Sequence, residues 1–260
     1  NLSFLKNRVK ELPAFIPELI TGSVSSFISG YEITRVGDPI YSYYGYEVEG
    51  IFQKDDNIAS SAQPNAKPGE LKFKNQDSDN AITSNDRVVL GKPFPDVTFG
   101  FTNSLRYKNF SLSIFVQGVL GIQTLDANVI ETLYPTNEYR NRIAKYYTGR
   151  WTEHNPTNKY PSGVNPSNYG GQYSINSSTV VDASFVRIKN INLSYDIPIK
   201  KNNIIQAASI YGAIDNLFTF TDYDGFDPDA SASGSDKVSK VNYNSYPLAR
   251  TVRFGVNITF

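Results

Sequence analysis

The stretch Tyr246–Phe260, YPLARTVRFGVNITF, alternates strictly from Val252 onward. Val252, Phe254, Val256, Ile258 and Phe260 share one parity, and Arg253, Gly255, Asn257 and Thr259 share the other. Successive side chains of a strand point to opposite faces, so this is a ribbon with one apolar and one polar side. In a soluble sheet the apolar side faces a core. In an outer-membrane barrel it faces lipid, and the polar side faces a wet lumen. Tyr246 and Phe260 stand on the apolar parity where aromatic girdles stand. Arg250 has that parity too, near the start, where a long side chain snorkels to the interface.

Working outward, the chain of 260 residues is long enough for one large β domain or two small ones. Its 18 Tyr and 16 Phe, against a single Trp, favour strands over helices. Lys plus Arg equals Asp plus Glu at 25 each, and no basic stripe is interleaved with aromatics, so nucleic acid is not an expected partner. Cys is absent, which removes disulfides, thiolate metal sites and cysteine nucleophiles. Met is absent even at position 1, so the sequence is expected to start inside a longer chain. No apolar run reaches the roughly 18 residues of a membrane helix. A mean hydropathy of -0.36 is compatible with membrane strands, which are half polar.

The clearest hairpin lies mid-chain. Val97, Phe99, Phe101, Leu105 and Tyr107 alternate with Thr98, Gly100, Thr102, Ser104 and Arg106, and only Asn103 breaks the apolar face. Lys108-Asn109 supplies a two-residue turn, with Asn expected at the positive φ. Phe110, Leu112, Ile114 and Val116 continue the pattern beyond it. Ser184–Asp196 is a strand with a phase problem: Ile191, Leu193 and Tyr195 share a parity with Arg187 and Lys189. Either a bulge shifts the register there or that half projects beyond a bilayer. Ala208, Ile210, Gly212 and Ile214 mark another strand. Val24–Ile33 is β-like, and Asn137–Trp151 is the best helix candidate. Three segments, at 54–96, 152–178 and 221–244, read as long polar loops. The expected fold class is all-β, a transmembrane antiparallel β-barrel.

Several stretches, taken in order, resemble the SusC/RagA family of TonB-dependent outer-membrane proteins of Bacteroidetes. They are GDPIYSYYGYEVEGIFQ, PGELKFKNQDSDNAITSNDRVVLGKPFPDVTFGFTNSLRYKNFSLSIFVQGVLG, WTEHNPTNKYP, SFVRIKNINLSYDIP, IYGAIDNLFTFTDYDGFDPD and the terminal strand, running from about Gly37 to Phe260. The resemblance implies that residues 1–260 are the C-terminal part of a larger barrel, with strands, long extracellular loops and an N-terminal plug outside this sequence. It implies residence in the Gram-negative cell outer membrane and TonB-driven uptake of oligosaccharides or peptides. The implied partners are a SusD-like surface lipoprotein and TonB, the latter through the missing N-terminal part. An enzyme is not expected. The alternatives are a self-contained small outer-membrane barrel or porin, and a soluble β-rich carbohydrate-binding module.

One loop has the pattern of a metal site. In NQDSDNAITSND, Asn75, Asp77 and Asp79 occupy positions one, three and five of a twelve-position calcium loop. Ala81 offers a carbonyl, Thr83 a hydroxyl or water, and Asp86 the terminal carboxylate. Hard oxygen donors at alternate positions suit a hard divalent cation. The departures are a neutral first position, Asn80 in place of Gly, and Asp in place of the bidentate Glu; the competing reading is an Asx-rich surface turn. No other cofactor is expected. Asp222, Asp224, Asp227 and Asp229 read as a solvated, turn-rich loop, and His154, the single histidine, as incidental. Loop tyrosines and Trp151 are stacking candidates for sugar rings, with loop packing as the competing reading.

Overall fold

The computed structural model describes residues 1–25, 28–132, 141–163, 171–199, 204–230 and 240–260. In chain order the strands are β1 (Leu2–Phe4), β2 (Glu18–Ser25), β3 (Ile28–Arg35), β4 (Ser42–Tyr46), β5 (Val48–Ile51), β6 (Leu71–Phe73), β7 (Arg87–Gly91) and β8 (Val97–Tyr107). They continue as β9 (Phe110–Leu120), β10 (Gln123–Asp126), β11 (Val180–Asp182), β12 (Phe185–Ile197), β13 (Ala207–Phe220), β14 (Val241–Asn242) and β15 (Thr251–Thr259). Two short helices join them, α1 (Ala127–Thr132) and α2 (Ala144–Gly149). The expected helix is therefore confined to α2 within the described part of Asn137–Trp151; residues 137–140 lie outside the described residues.

Six strands form one antiparallel wall in the order β1-β8-β9-β12-β13-β15. Its register sorts side chains by face. Phe101 stands opposite Val116, Leu105 opposite Leu112, Ile191 opposite Ile114 and Ile214, and Ile210 opposite Val256. These apolar residues line up across the wall and none is buried: Phe101, Leu105, Ile210, Val252, Phe254 and Val256 are exposed, and Leu112, Ile114, Val116, Ile191 and Ile214 are half-buried. The opposite face carries Thr102, Ser113, Asn192, Asp215, Arg253 and Asn257. On it Arg253 pairs with Asp215 at 2.8 Å, and Asn190 Nδ2 donates to Asp215 Oδ1 at 2.6 Å. A sheet whose apolar side is bare and whose other side is wet is the two-faced wall of a membrane barrel, with hydrocarbon as the missing contact.

The phase problem in β12 resolves as a bulge. The register slips between Ile188 and Asn190 against both β9 and β13, which leaves Lys189 outside the ladder. Val186 and Ile188 thereby join Ile191, Leu193 and Tyr195 on the apolar face, and Arg187 joins Asn190 and Asn192 on the polar face.

The β8–β9 hairpin closes on Tyr107 opposite Phe110, as the two-residue turn requires. The positive φ falls on Lys108 at 53°, not on Asn109. Asn109 is held instead by β12: its Nδ2 donates to Asp196 O, and its carbonyl accepts from Asp196 N, both at 2.8 Å. This tight turn lies at one end of the wall. At the other end the connections are long, spanning residues 5–96, 121–184 and 221–250.

The long connections are folded, which corrects the reading of 54–96 as a loop excursion. β7 from that segment pairs with β4 in a four-stranded sheet ordered β2-β3-β4-β7, and β6 pairs with β5. β10 lies between β11 and β14, so the second and third connections share a sheet. Two apolar cores hold them. Tyr46, Leu71, Phe73, Tyr146, Trp151 and Tyr160 form one. Ile28, Tyr31, Tyr43, Leu125, Ile175 and Val241 form the other, which draws on all three connections. Gly45 is required at the seam: a Cβ there would sit 2.1 Å from the Ile175 carbonyl oxygen, which accepts the Tyr46 amide at 3.0 Å.

Candidate functional site

The folded connections sit on the end of the wall and are tied to it by charge. Arg187, on the polar face of β12, is only 2% exposed. Its Nε donates to Thr219 Oγ1 at 2.8 Å and its Nη2 to Asp227 Oδ1 at 2.5 Å. The Phe185 ring lies under the guanidinium, 4.9 Å from its centroid. Asp227 also accepts from the Leu248 amide at 2.9 Å and the Asp229 amide at 2.9 Å, so one carboxylate joins β12 to both limbs of the third connection. Lys240 completes the cluster through Asp229 at 3.2 Å. Burial alone raises the Asp227 carboxyl; the two amides and then the guanidinium outweigh it and hold the group below its ordinary value. The reading of Asp227 and Asp229 as members of a solvated loop is corrected here. Their partners lie far off in sequence, where no local pattern reveals them.

A second polar knot closes the second connection on the third. Tyr223 Oη donates to Asp126 Oδ2 at 2.6 Å and accepts from Asn242 Nδ2 at 2.5 Å. Asn128 Nδ2 donates to Asn242 Oδ1 at 3.2 Å. Burial raises the Asp126 carboxyl above its ordinary value, against the opposing hydrogen bond from Tyr223. Beside this knot opens a cavity of about 280 Å³. Asp126, Asp182, Asp222, Asp224, Lys145 and Lys159 bring both signs of charge to its lining. Lys145 pairs with Asp224 at 2.6 Å. This cleft joins charges of both signs to apolar walls from Val129, Tyr160 and Val181, and it lies among the connections rather than in the wall.

The candidate calcium loop lies in the first connection. Asp77 Oδ1 accepts the Asp79 amide at 3.2 Å, Asp79 Oδ1 the Ala81 amide at 2.9 Å, and Asn75 Oδ1 the Ser78 amide at 2.7 Å. Asn80 adopts the left-handed conformation at φ 67°, as expected of the residue replacing Gly. Thr83 and Asp86 form a capping box: Thr83 Oγ1 accepts the Asn85 amide at 3.1 Å, and Asp86 Oδ2 accepts the Thr83 amide at 2.7 Å. Asp86 is fully buried, and its Oδ1 accepts the Gln76 amide at 2.6 Å. Among the described residues no three His, Cys, Asp or Glu side chains converge as a metal cage.

The aromatic candidates divide. Tyr146, Trp151, Tyr160 and Tyr223 are buried and serve packing. Trp151 Nε1 donates to Gln53 Oε1 at 2.8 Å. Tyr173 stacks on Phe73 with centroids 5.4 Å apart and lines a cavity of about 230 Å³ with Gln63 and Asn65. Tyr147 is exposed, and Tyr134, Tyr139 and Tyr169 lie outside the described residues. His154 is exposed in a turn.

No family model matches the chain. Similar proteins exist over its whole length. TonB-dependent receptors P3 and P26 of Formosa agariphila are each 33% identical across 100% of the chain, which covers 26% of each relative. TonB-dependent receptor SusC of Bacteroides thetaiotaomicron is 27% identical over 75% of the chain and 18% of its own length. The chain thus spans about a quarter of the length of the first curated relatives it matches. Among solved structures, the RagAB peptide transporter superposes on 100% of the chain and 26% of its own with a TM-score of 0.74 at 22% identity. The same importer in its closed-closed state gives 0.70. Those structures share the fold.

Proposed function

The chain belongs to the SusC/RagA family of TonB-dependent receptors, and on that premise we propose that it supplies barrel wall and extracellular loops to an outer-membrane importer. The observation that carries this reading is the wall itself: six strands with one bare apolar face, one polar face and folded long connections at a single end. We place the chain in the C-terminal part of the barrel domain, with the long connections on the cell surface and the tight turns in the periplasm, the usual polarity of such barrels. The cargo is an oligosaccharide or a peptide, taken up with a SusD-like lipoprotein and driven by TonB through parts of the protein outside this sequence. Supporting this are the relatives named TonB-dependent receptors and a structural neighbour described as a peptide transporter. The cleft beside Tyr223, with its charged and apolar lining, suits cargo contact because it lies among the proposed surface loops. The chain's part is capture and passage, not catalysis. The bare apolar face opposes the soluble-module alternative, since a sandwich core would cover it.

The test is uptake by intact cells. Deleting the parent gene is expected to abolish import of its cognate oligosaccharide or peptide, and deleting TonB to do the same. Unchanged import, or recovery of the parent protein without detergent, overturns the reading. Calcium loading of residues 75–86 is a separate proposal, supported by the alternate oxygen donors Asn75, Asp77 and Asp79 and the left-handed Asn80. Calcium is expected to raise the Tm of the wild-type protein and not that of Asp77→Asn/Asp79→Asn. An unchanged wild-type Tm assigns those carboxylates to the turn alone.

A further inference from the structure

The cleft beside Tyr223 has a lining that discriminates between kinds of cargo. The second connection supplies it with the end of β10, with α2 and with β11, and the third supplies residues 222–225. Some of its charges are already engaged. Lys145 pairs with Asp224 at 2.6 Å, and Asp126 accepts from Tyr223 in the buried knot. Three charges remain. Lys159, Asp182 and Asp222 are exposed on the lining, and none of them forms an ion pair among the described residues. Asp182 uses Oδ1 to accept the Ser184 amide at 2.7 Å. Lys159 Nζ stands 5.4 Å from the centroid of the Tyr160 ring. The charge left for a ligand is therefore of both signs, two carboxylates to one ammonium. Val129, Val181 and Tyr160 supply apolar wall beside it.

A ligand that fills the cleft takes water from these groups and must return matching charge, or the desolvation counts against it. A neutral oligosaccharide brings hydroxyls and no ion. An acidic oligosaccharide brings more anions to a site with a carboxylate excess. A peptide brings an ammonium for Asp182 or Asp222, a carboxylate for Lys159 and an aliphatic side chain for Val129 and Val181. Rejection here comes from charges that the wrong cargo leaves unmet, and selection from the same charges when they are met.

We propose that this cleft selects peptides over oligosaccharides, and among peptides those that seat a cationic group, an amino terminus or a Lys or Arg side chain, against Asp182 and Asp222. The inference rests on the importer reading and deepens it, since that reading leaves the class of cargo open.

The experiment uses the full parent protein, extracted from the outer membrane in detergent with any lipoprotein that copurifies. It is incubated with an equimolar tripeptide library mixed with neutral glucan and polyuronate oligomers, and native mass spectrometry reads what is retained. Tripeptides are expected to be retained, enriched in Lys and Arg over Asp and Glu, and both oligosaccharides to be washed away. Asp182→Asn/Asp222→Asn keeps the side-chain shapes and is expected to lower retention of the basic tripeptides roughly tenfold, the weight of one charged hydrogen bond. Glu11→Gln/Asp55→Asn removes the same charge from exposed positions outside the cleft and is expected to retain them as the wild type does. Preferential retention of either oligosaccharide overturns the proposal. So does enrichment of acidic over basic tripeptides, retention of neither class, or a response to the cleft variant no larger than to the control. A parent protein recovered without detergent overturns this inference together with the importer reading. A detergent-extracted, TonB-dependent importer that retains oligosaccharides in place of peptides overturns this inference alone.

Discussion

Arg187 and Asp227 show what one buried ion pair does on the polar side of a sheet, a side that also carries Thr102, Phe115, Asn192 and Tyr211. The two side chains are 2% and 5% exposed. Neither charge has water to fall back on, so removing one partner strands the other. Asp227→Asn keeps the shape, takes away the charge and leaves one acceptor oxygen where the two amides and the guanidinium use both carboxylate oxygens. It is expected to cost on the order of 3 kcal/mol and to free the third connection, read as faster proteolysis within 221–250. The same pair sets a pH dependence. An unfolded aspartate titrates near pH 3.9, roughly, and the folded Asp227 lies below its ordinary value. The folded state therefore binds fewer protons, and the contribution of the pair is complete above about pH 5. It is lost as the pH falls through the lower folded value. The stability gap between wild type and Asp227→Asn should narrow below about pH 4, and a gap that is constant down to pH 3 or so would contradict the depressed carboxyl.

The elements were legible to unequal degrees, and the reasons are physical. β15 alternates over its whole length, and β8 and β9 alternate with few breaks, Asn103 in the one and Phe115 in the other, which is enough for a strand to be recognised. β12 was legible as a strand, but its parity was not. The bulge at Lys189 is fixed by the registers of β9 and β13 together, and no residue within β12 states which of two phases is right. The small strands β4, β6, β7 and β14 were hidden for another reason. They are two to five residues long and pair across gaps of tens of residues, so local pattern carries little of their signal. The same holds for the Arg187–Asp227 pair: Asp227 sits in a run of aspartates and turn formers, and only the fold brings Arg187 to it. The two faces of β15 give a direct check. Val256→Arg puts a cation on the bare face near mid-strand and is expected to destabilise by about 2–4 kcal/mol in a bilayer. Asn257→Arg, one residue on, is expected to fall within about 0.5 kcal/mol of wild type, as wet-face substitutions do. Unfolding in lipid vesicles measures both. Equal costs would mean that β15 does not separate lipid from water.

At the scale of the molecule, two kinds of stability are joined end to end. The connections bury their own apolar residues in two cores and hold one another through Tyr43, whose hydroxyl donates to the Lys240 carbonyl. The wall leaves its apolar face exposed to half-buried, and its order depends on lipid and on neighbouring strands. β1 and β15 are the edges of the six-stranded order, each paired on one side only. In hydrocarbon an unpaired row of backbone N–H and C=O groups costs several kcal/mol per group, so these edges must find partners. Six strands are also fewer than the roughly eight of the smallest outer-membrane barrels. The 260 residues expressed alone are therefore expected to fold their connections and to fail at the wall. Trp151, the only tryptophan, sits in one of the connection cores and reports the first as a buried emission maximum. Electrophoresis without boiling reports the second: a closed barrel resists SDS and migrates as a compact band, and this chain should give none. A parent chain of the relatives' length should give both signals. A compact, SDS-resistant band from the 260 residues alone would return the self-contained small barrel to first place, because it would require β1 and β15 to satisfy their edges without help.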